Sequence, residues 1–343
     1  MSANKPSKIL IIAPAWVGDL VMTKVLFQLL KTHNPNVIID VLGNESLFGL
    51  LKHMPEVHQG IALPIKHGEL QLGERHRIGV DLRTANYDQA IVIPNSLKSA
   101  LIPWFTRIKK RTGWRGEMRY GLLNDLRILD KKQLPLMVER LLKLGLDKQT
   151  RLPKIWQNPK LSVNAEDVKH TVAKFNLTLQ KPVLILCPGA EYGEAKRWPA
   201  KYFAEIAKIK MQDGLQVWLL GGPKDIPIAN AIQQLSQQVC VDLTGKTDLD
   251  EVVNLLSLAT AVVTNDSGLM HIAAALNRPL IAIYGSTTPQ FTPPLSDNAT
   301  IVSLNLPCSP CFQRICPQGH FKCLQDLKPK LVLDAINTVL ISR

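Results

Sequence analysis

The stretch between residues 259 and 285 constrains the fold more than any other part of the chain. An apolar run at 259–263 leads into the polar turn 264–271, and a run of small residues at 272–276 precedes a second apolar run at 279–284. This order predicts a strand, a turn, a helix and another strand. In a parallel sheet such a turn lies at the carboxyl end of a strand, where open α/β folds bind ligands.

The same alternation of strands and helices runs through both halves of the chain. In the first half, strands are predicted at 8–13, 37–42 and 87–94, and in the second half at 182–187 and 216–221. Uninterrupted apolar strands of this kind are typical of parallel sheets that are covered on both faces. The pattern therefore predicts two similar α/β domains.

The length of 343 residues also favours two domains. Prolines at 150–165 break any helix and indicate a linker. We predict an N-terminal domain at 1–160 and a C-terminal domain at 161–328, which includes the cysteine-rich segment 308–323. A last helix is predicted at 329–343, packing back toward the N-terminal domain.

Composition narrows the class of partner. The chain carries 41 Lys and Arg against 28 Asp and Glu, a net charge of +13, which favours nucleic acid, an anionic membrane face or a phosphorylated substrate. A hydrophobic fraction of 46% excludes a disordered chain. No stretch approaches the ~20 apolar residues of a membrane span, and no signal peptide is evident. We therefore expect a cytosolic protein that touches a membrane surface through its charge.

The polar turn 264–271 is the first candidate binding site. Asp266, Ser267 and Gly268 open the predicted helix, whose first amide groups lack backbone partners and attract anions. His271 falls in the first helical turn and could point at the same anion. The alternative is an ordinary helix start with Asp266 or Ser267 as the N-cap, and spacing alone leaves both open.

Two further turns follow strands in the second half. The turn 187–199 contains Gly189 and the adjacent cations Lys196 and Arg197, which could neutralise a diphosphate, including charge that develops on a departing one. Its alternative is a solvated basic loop. The turn 221–225 ends at Asp225, which could accept hydrogen bonds from a ribose or base, or cap the next helix.

In the first half, Gly18 and Asp19 follow the first strand. Glycine would let a ligand approach the backbone, and the Asp19 carboxylate could take a proton from an attacking hydroxyl, or only cap the helix. Basic and aromatic residues interleave further on, as in surfaces that bind nucleic acid or a phosphorylated glycolipid, or in a solvated charged face. The candidates there are Asn95, Ser96, Lys98, Arg111, Trp114, Arg115 and Arg119.

Four cysteines cluster near the C-terminus, at Cys308, Cys311, Cys316 and Cys323. One CxxC pair and two further thiols suit a structural zinc site, although the later spacings are not those of common zinc fingers. His320 is a possible substitute ligand. Reduced thiols and partial disulfides remain open, and a cytosolic location disfavours disulfides.

Together these segments resemble the ADP-heptose:lipopolysaccharide heptosyltransferases of glycosyltransferase family 9, over nearly the whole chain. Residues 14–19, 94–100, 111–125, 188–199 and 264–271 carry the resemblance. The resemblance is greatest to the members that add the second heptose of the inner core. The segments 95–100 and 111–125 favour these members, because the N-terminal half is expected to determine the choice of acceptor. The resemblance implies a GT-B fold, in which two Rossmann-like domains face each other across a cleft.

The resemblance also implies an activity. It is the inverting transfer of L-glycero-D-manno-heptose from ADP-heptose to heptosyl-Kdo2-lipid A, without a cofactor in catalysis. The implied partners are ADP-heptose, the lipid A–core acceptor and the anionic surface of the inner membrane, on whose cytoplasmic face the protein is peripheral; nucleic acid is not among them. Two alternatives are an enzyme that acts on Kdo2-lipid A lacking heptose, and a non-enzymatic binder of anionic glycans or nucleic acid.

Residue roles follow from the resemblance position by position. It implies Asp19 as the catalytic base and Lys196 as the catalytic diphosphate-contacting cation. The implied nucleotide-sugar residues are Gly189, Arg197, Asp225, Asp266, Ser267, Gly268 and His271, with Asp225 matched only loosely. The acceptor, bound by the N-terminal domain, would contact Gly18 and the basic and aromatic residues named above.

Overall fold

The computed structural model describes residues 7–66 and 68–341. The chain forms two compact units, Met1–Pro159 and Lys160–Arg343. The division falls one residue before the predicted boundary, inside the proline-containing stretch interpreted as a linker.

The first unit is built on one six-stranded sheet in which every pair of neighbouring strands is parallel. Its strands are β1 (Lys8–Ile12), β2 (Ile38–Gly43), β3 (Gln59–Ala62), β4 (Gln89–Val92), β5 (Lys110–Trp114) and β6 (Asp125–Arg127). They lie side by side in the order β3-β2-β1-β4-β5-β6. After Lys8, the central strand β1 is apolar because helices cover both faces of such a sheet, and its Leu10 and Ile11 are fully buried.

The helices of this unit are α1 (Val17–His33), α2 (Phe48–Leu51), α3 (Leu72–Asp81), α4 (Leu101–Phe105) and α5 (Met137–Gly145). Helices α1 and α5 pack on each other. Gly145 ends α5 directly against Leu26 of α1, where a Cβ atom would lie 2.5 Å from a Leu26 methyl carbon. The close approach of the two helices therefore depends on glycine at this position.

The second unit repeats this plan with β7 (Val183–Cys187), β8 (Gln216–Leu219), β9 (Val241–Asp242), β10 (Ala261–Asn265), β11 (Leu280–Ile283) and β12 (Ala299–Val302). All neighbours are again parallel, in the order β12-β11-β10-β7-β8-β9. Its helices are α6 (Ala165–Lys174), α7 (Ala200–Gln212), α8 (Ile226–Ser236), α9 (Leu249–Leu256), α10 (Gly268–Ala275), α11 (Lys322–Gln325) and α12 (Pro329–Ile341).

Each sheet has a switch point, where strand order reverses between two central strands. In the first unit these strands are β1 and β4, and in the second they are β7 and β10. Doubly wound folds bind ligands at the carboxyl ends of the strands beside such a point. The chain leaves β1 and β4 toward Asp19 and Asn95, and leaves β7 and β10 toward Gly189 and Asp266. Most of the sequence motifs therefore lie at a switch point.

The last helix, α12, contacts α7 and strands β10 to β12 of its own unit. Its packing toward the N-terminal domain stays a prediction. Val332 and Ile336 are fully buried in the apolar core of that unit. These apolar side chains at helical spacing explain the docking, because the helix buries its apolar stripe on the nearest sheet. Of the helices in the described ranges, none is both long and apolar enough to cross a membrane.

Candidate functional site

A buried ion pair lies at the switch point of the second unit. The Lys196 Nζ atom donates to Asp266 Oδ2 at 2.6 Å, and the two side chains are 15% and 5% exposed. The Thr287 hydroxyl donates to the same carboxylate oxygen at 2.6 Å. An ammonium group has three N–H donors, so Lys196 keeps donors for a ligand while Asp266 fixes its position. The turns 187–199 and 264–271 are thus in direct contact.

Asn265 braces these two turns, although it was not among the predicted site residues. Its Nδ2 donates to the carbonyl of Pro188 at 2.7 Å, and its Oδ1 accepts from the Trp198 amide at 3.1 Å. Both partners flank the segment that carries Lys196. A buried amide that satisfies one donor and one acceptor on another loop holds the loop in a single position. Its place at the end of β10, inside the motif, was the signal available in the sequence.

The N-terminus of α10, which follows Asp266, lacks an ordinary side-chain cap. Ser267 occupies the N-cap position of α10, yet its side chain makes no capping hydrogen bond within the described part of the chain. Its hydroxyl instead lies 3.3 Å from the Thr264 hydroxyl. The Ser267 side chain therefore does not occupy the first amide groups of α10, the groups on which the anion-binding interpretation depends.

His271 is held in its neutral form. Burial lowers its pKa to about 4, with Lys196 adding to the effect and Asp266 opposing it. A neutral imidazole at pH 7 can donate or accept a hydrogen bond without adding a second full charge beside Lys196.

Asp225 and Gly189 form a tight contact. A Cβ atom at position 189 would clash with the Asp225 carboxylate, so only glycine lets the loop after β7 lie this close. Asp225 Oδ2 also accepts from the Gly222 amide at 3.0 Å, so it caps its own turn as well as facing the site. Burial raises the pKa of Asp225, and the nearby Arg197 works against this.

Arg197 has capacity to bind a ligand. Its Nε atom is buried and has no hydrogen-bond partner among the residues described here. A buried guanidinium nitrogen without a partner is costly, and a bound anionic oxygen would satisfy it.

A strap formed by residues 309–314 braces the Lys196 loop from outside. The Arg314 carbonyl accepts from the Ala195 amide at 3.1 Å, and the Phe312 carbonyl accepts from the Tyr192 hydroxyl at 2.7 Å. The Arg314 guanidinium and the Lys196 ammonium both lie over the Tyr192 ring, 5.6 and 5.1 Å from its centre. Sequence reasoning missed this strap, because it considered the segment only for its cysteines.

Within the described residues, Cys308, Cys311, Cys316 and Cys323 form no disulfide. Burial raises the pKa of Cys323, and its three neighbours Cys308, Cys311 and Cys316 contribute. Backbone amides, that of Phe321 foremost, lower the pKa of Cys316. Across residues 7–66 and 68–341, no group of three or more His, Cys, Asp or Glu side chains is arranged to hold a metal ion. The zinc site stays a prediction.

In the first unit, Asp19 is the third residue of α1 and is half-buried. The N-cap position is Trp16, so the alternative in which Asp19 is the N-cap does not apply. The buried Gly18 precedes it. Asp19 thus sits at the carboxyl edge of β1, in the first helical turn, where the helix dipole stabilises a carboxylate.

The predicted acceptor residues divide into two kinds. Arg119 is fully buried and donates to the carbonyls of Pro94, at 2.6 Å, and of Trp114. Burial lowers its pKa to about 10. Arg111 donates to the carbonyls of Leu122 and Ile108, each at 2.6 Å. Arg119 and Arg111 therefore hold the loop together, with the buried Trp114, and are not free ligand contacts.

The remaining candidates are more accessible. Arg115 is exposed and Lys98 is half-buried, and Asn95 and Ser96 open the turn after β4. The Asn95 carbonyl accepts from the Glu117 amide at 2.9 Å, which joins the turn after β4 to the loop after β5. The first unit thus brings most of the predicted acceptor residues to one edge of its sheet.

Comparison with known proteins places the chain in a family. The model of glycosyltransferase family 9 (heptosyltransferase) matches residues 75–322. Lipopolysaccharide heptosyltransferase 2 of Escherichia coli strain K12 is 45% identical over 345 residues, covering 97% of this chain and 99% of that protein. The chain belongs to glycosyltransferase family 9, and the prediction that it is a glycosyltransferase is confirmed.

The solved structure of E. coli ADP-heptose lipopolysaccharide heptosyltransferase II superposes with a TM-score of 0.89 at 45% identity, covering 98% of this chain and 99% of that one. The predicted fold class, with two Rossmann-like parallel-sheet domains of the GT-B type, is confirmed. Lipopolysaccharide heptosyltransferase 1 of Pseudomonas aeruginosa is 24% identical over 345 residues, covering 94% of this chain and 91% of that protein.

Proposed function

We propose that this chain transfers L-glycero-D-manno-heptose from ADP-heptose to heptosyl-Kdo2-lipid A, adding the second heptose of the lipopolysaccharide inner core. The observation that carries the proposal is the Lys196 ammonium fixed by Asp266 at the switch point of the second unit, beside a buried Arg197 nitrogen in need of an acceptor. Identity of 45% to a type 2 heptosyltransferase, against 24% to a type 1 enzyme, favours the heptose-bearing acceptor.

In this mechanism the second unit holds the diphosphate of the donor. Lys196 and Arg197 neutralise the charge that grows on departing ADP, and the first amides of α10 contribute partial positive charge. The neutral His271 donates a hydrogen bond rather than a proton. Asp225, next to Gly189, accepts from a hydroxyl of the ribose. Positive charge is thus supplied by side chains, and we assign no catalytic step to a metal.

The first unit supplies the base. Asp19 removes the proton from a hydroxyl of the acceptor heptose as its oxygen attacks the anomeric carbon. The C–O bond to ADP breaks on the opposite face, so the configuration inverts and ADP leaves with the bonding electrons. The half-buried Lys98 and the exposed Arg115 contact anionic groups of the acceptor. The net charge of +13 holds the enzyme at the anionic inner face of the inner membrane.

An assay of ADP release with two acceptors tests this proposal. We expect turnover with heptosyl-Kdo2-lipid A and none with Kdo2-lipid A that lacks heptose. The reverse preference would make the chain a type 1 enzyme. No ADP release with either acceptor would favour the non-enzymatic alternative.

A further inference from the structure

A cavity of about 660 Å³ lies in the first unit, beyond the switch point. It is bounded by the ends of β5 and β6, at Trp114 and Arg127, and by the chain that leads out of α5 toward the linker, at 148–152. We call it the linker-side cavity. Its size is within the ~300–1,000 Å³ of typical small-molecule sites.

Five cations line this cavity, against one carboxylate, Asp130. They are Arg115, Arg127, Lys143, Lys148 and Arg151. An excess of this kind focuses positive potential into a concave surface, which attracts anions.

Two of these cations are engaged inside the protein. Arg127 donates to Asp125 at 2.7 Å and to the Lys143 carbonyl. The Lys143 ammonium donates to the Lys148 carbonyl at 3.1 Å and to that of Thr150. Burial and the charge of Arg127 lower the pKa of Lys143. These contacts fasten the start of the linker to the sheet, and so build one wall of the cavity.

The other three cations are available. Arg115, Lys148 and Arg151 are exposed, and within the described ranges none of them forms an ion pair. Cations without an ion-pair partner that line one cavity are the arrangement that binds carboxylate or phosphate groups.

The same cavity exposes apolar side chains. Tyr120 is 63% exposed and Ile128 is 73% exposed, and both line it. Large apolar side chains grouped at a concave, charged site mark ligand-binding surfaces. An aromatic ring beside cations suits a ligand with anionic groups and C–H faces, as sugar acids and sugar phosphates have.

We propose that the linker-side cavity binds the anionic sugars of the acceptor glycolipid, through Arg115, Lys148 and Arg151, with Tyr120 and Ile128 packing on the sugar rings. This rests on the proposed function and deepens it, since Arg151 lies in the segment 150–165 interpreted only as a linker and Lys148 lies just before it. The concave shape favours a saccharide over a bilayer surface, which would need a flat or convex patch.

The double variant Lys148→Ala/Arg151→Ala tests this. Both residues lie outside helices and strands, so the fold is expected to persist, which thermal unfolding checks. The matched control is Lys154→Ala/Lys160→Ala, which removes the same charge from exposed linker lysines that do not line the cavity. Acceptor KM, ADP-heptose KM and kcat are measured in detergent over a range of salt.

We expect the acceptor KM of the cavity variant to rise roughly tenfold, with a shallower salt dependence, because two exposed charge-assisted contacts are lost. The ADP-heptose KM and the kcat at saturating acceptor should stay unchanged, and the control should resemble the wild type. An unchanged acceptor KM, or an equal rise in the control, would overturn the proposal.

Two further measurements separate the alternatives. If the variant loses only its binding to anionic phospholipid vesicles without glycolipid, the cavity is a membrane contact and the proposal is wrong. Binding of the deacylated acceptor saccharide is measured directly, without ADP-heptose. A wild-type protein that binds this saccharide through Lys148 and Arg151, yet releases no ADP, keeps the cavity assignment and refutes the transferase proposal.

Discussion

The Lys196 ammonium has two proposed roles: it forms an ion pair with Asp266, and it stabilises departing ADP. Replacing Lys196 by alanine tests the first role through protein stability. The substitution leaves the Asp266 carboxylate 5% exposed, with the Thr287 hydroxyl as a remaining partner. Breaking a buried ion pair from one side costs about 3–5 kcal/mol. Because Lys196 is 15% exposed and Thr287 still donates, we expect the free energy of unfolding to fall by about 2–3 kcal/mol.

The double variant Lys196→Ala/Asp266→Asn isolates the role of Lys196 in stabilising departing ADP. It also removes the negative charge of Asp266, which the single variant leaves unpaired, so the free energy of unfolding should return to within about 1 kcal/mol of the wild type. Activity should not return, because the cation that stabilises departing ADP is still missing. Loss of one such electrostatic contact lowers kcat by about 10²–10³.

Urea unfolding followed by tryptophan fluorescence measures the first effect, and an ADP-release assay measures the second. A Lys196→Ala variant that is as stable as the wild type would refute the contribution of the Lys196–Asp266 ion pair to stability. A double variant that regains wild-type kcat would refute the role of Lys196 at the diphosphate.

Three further predictions concern other residues. Asp19→Asn should lower kcat by at least ~10² while leaving the ADP-heptose KM unchanged, and full turnover would exclude it as the base. His271 has a folded-state pKa of about 4 against 6.5 in an unfolded chain, so only the unfolded state gains a proton as the pH falls between these values. Stability should therefore fall across this window by up to about 1.4 kcal/mol per pH unit, and His271→Gln, compared by urea unfolding, should flatten the slope. Metal analysis of reduced, chelator-free protein should find about one zinc per chain if Cys308, Cys311, Cys316 and Cys323 form the predicted site, and a value near zero would exclude it.

The central strands and their following turns could be predicted because each signal is local. An apolar run such as 183–186 predicts a buried strand, and the polar turn after it predicts where a ligand binds. The strands at the sheet edges gave no such signal. Asp125–Arg127 is short and mostly polar, and of the four residues of β12 two are exposed and two are half-buried.

Side-chain roles that depend on partners far away in the sequence could not be predicted. Arg119 stands among cations and aromatics, and its sequence context is that of an exposed patch. Its burial is stabilised by carbonyls of Pro94 and Trp114 that the fold brings to it. The strap on the Lys196 loop was missed for the same reason, because Arg314 and Ala195 meet only in the folded chain.

The strap has a consequence for biosynthesis. A ribosome delivers the chain from its N-terminus, so Lys196 is made long before Phe312 and Arg314, whose carbonyls hold the Tyr192 and Ala195 positions. Until that late segment emerges, the loop lacks two of its anchors. A nascent chain stalled before residue 309 would contain every proposed nucleotide-sugar residue and would still bind ADP-heptose weakly.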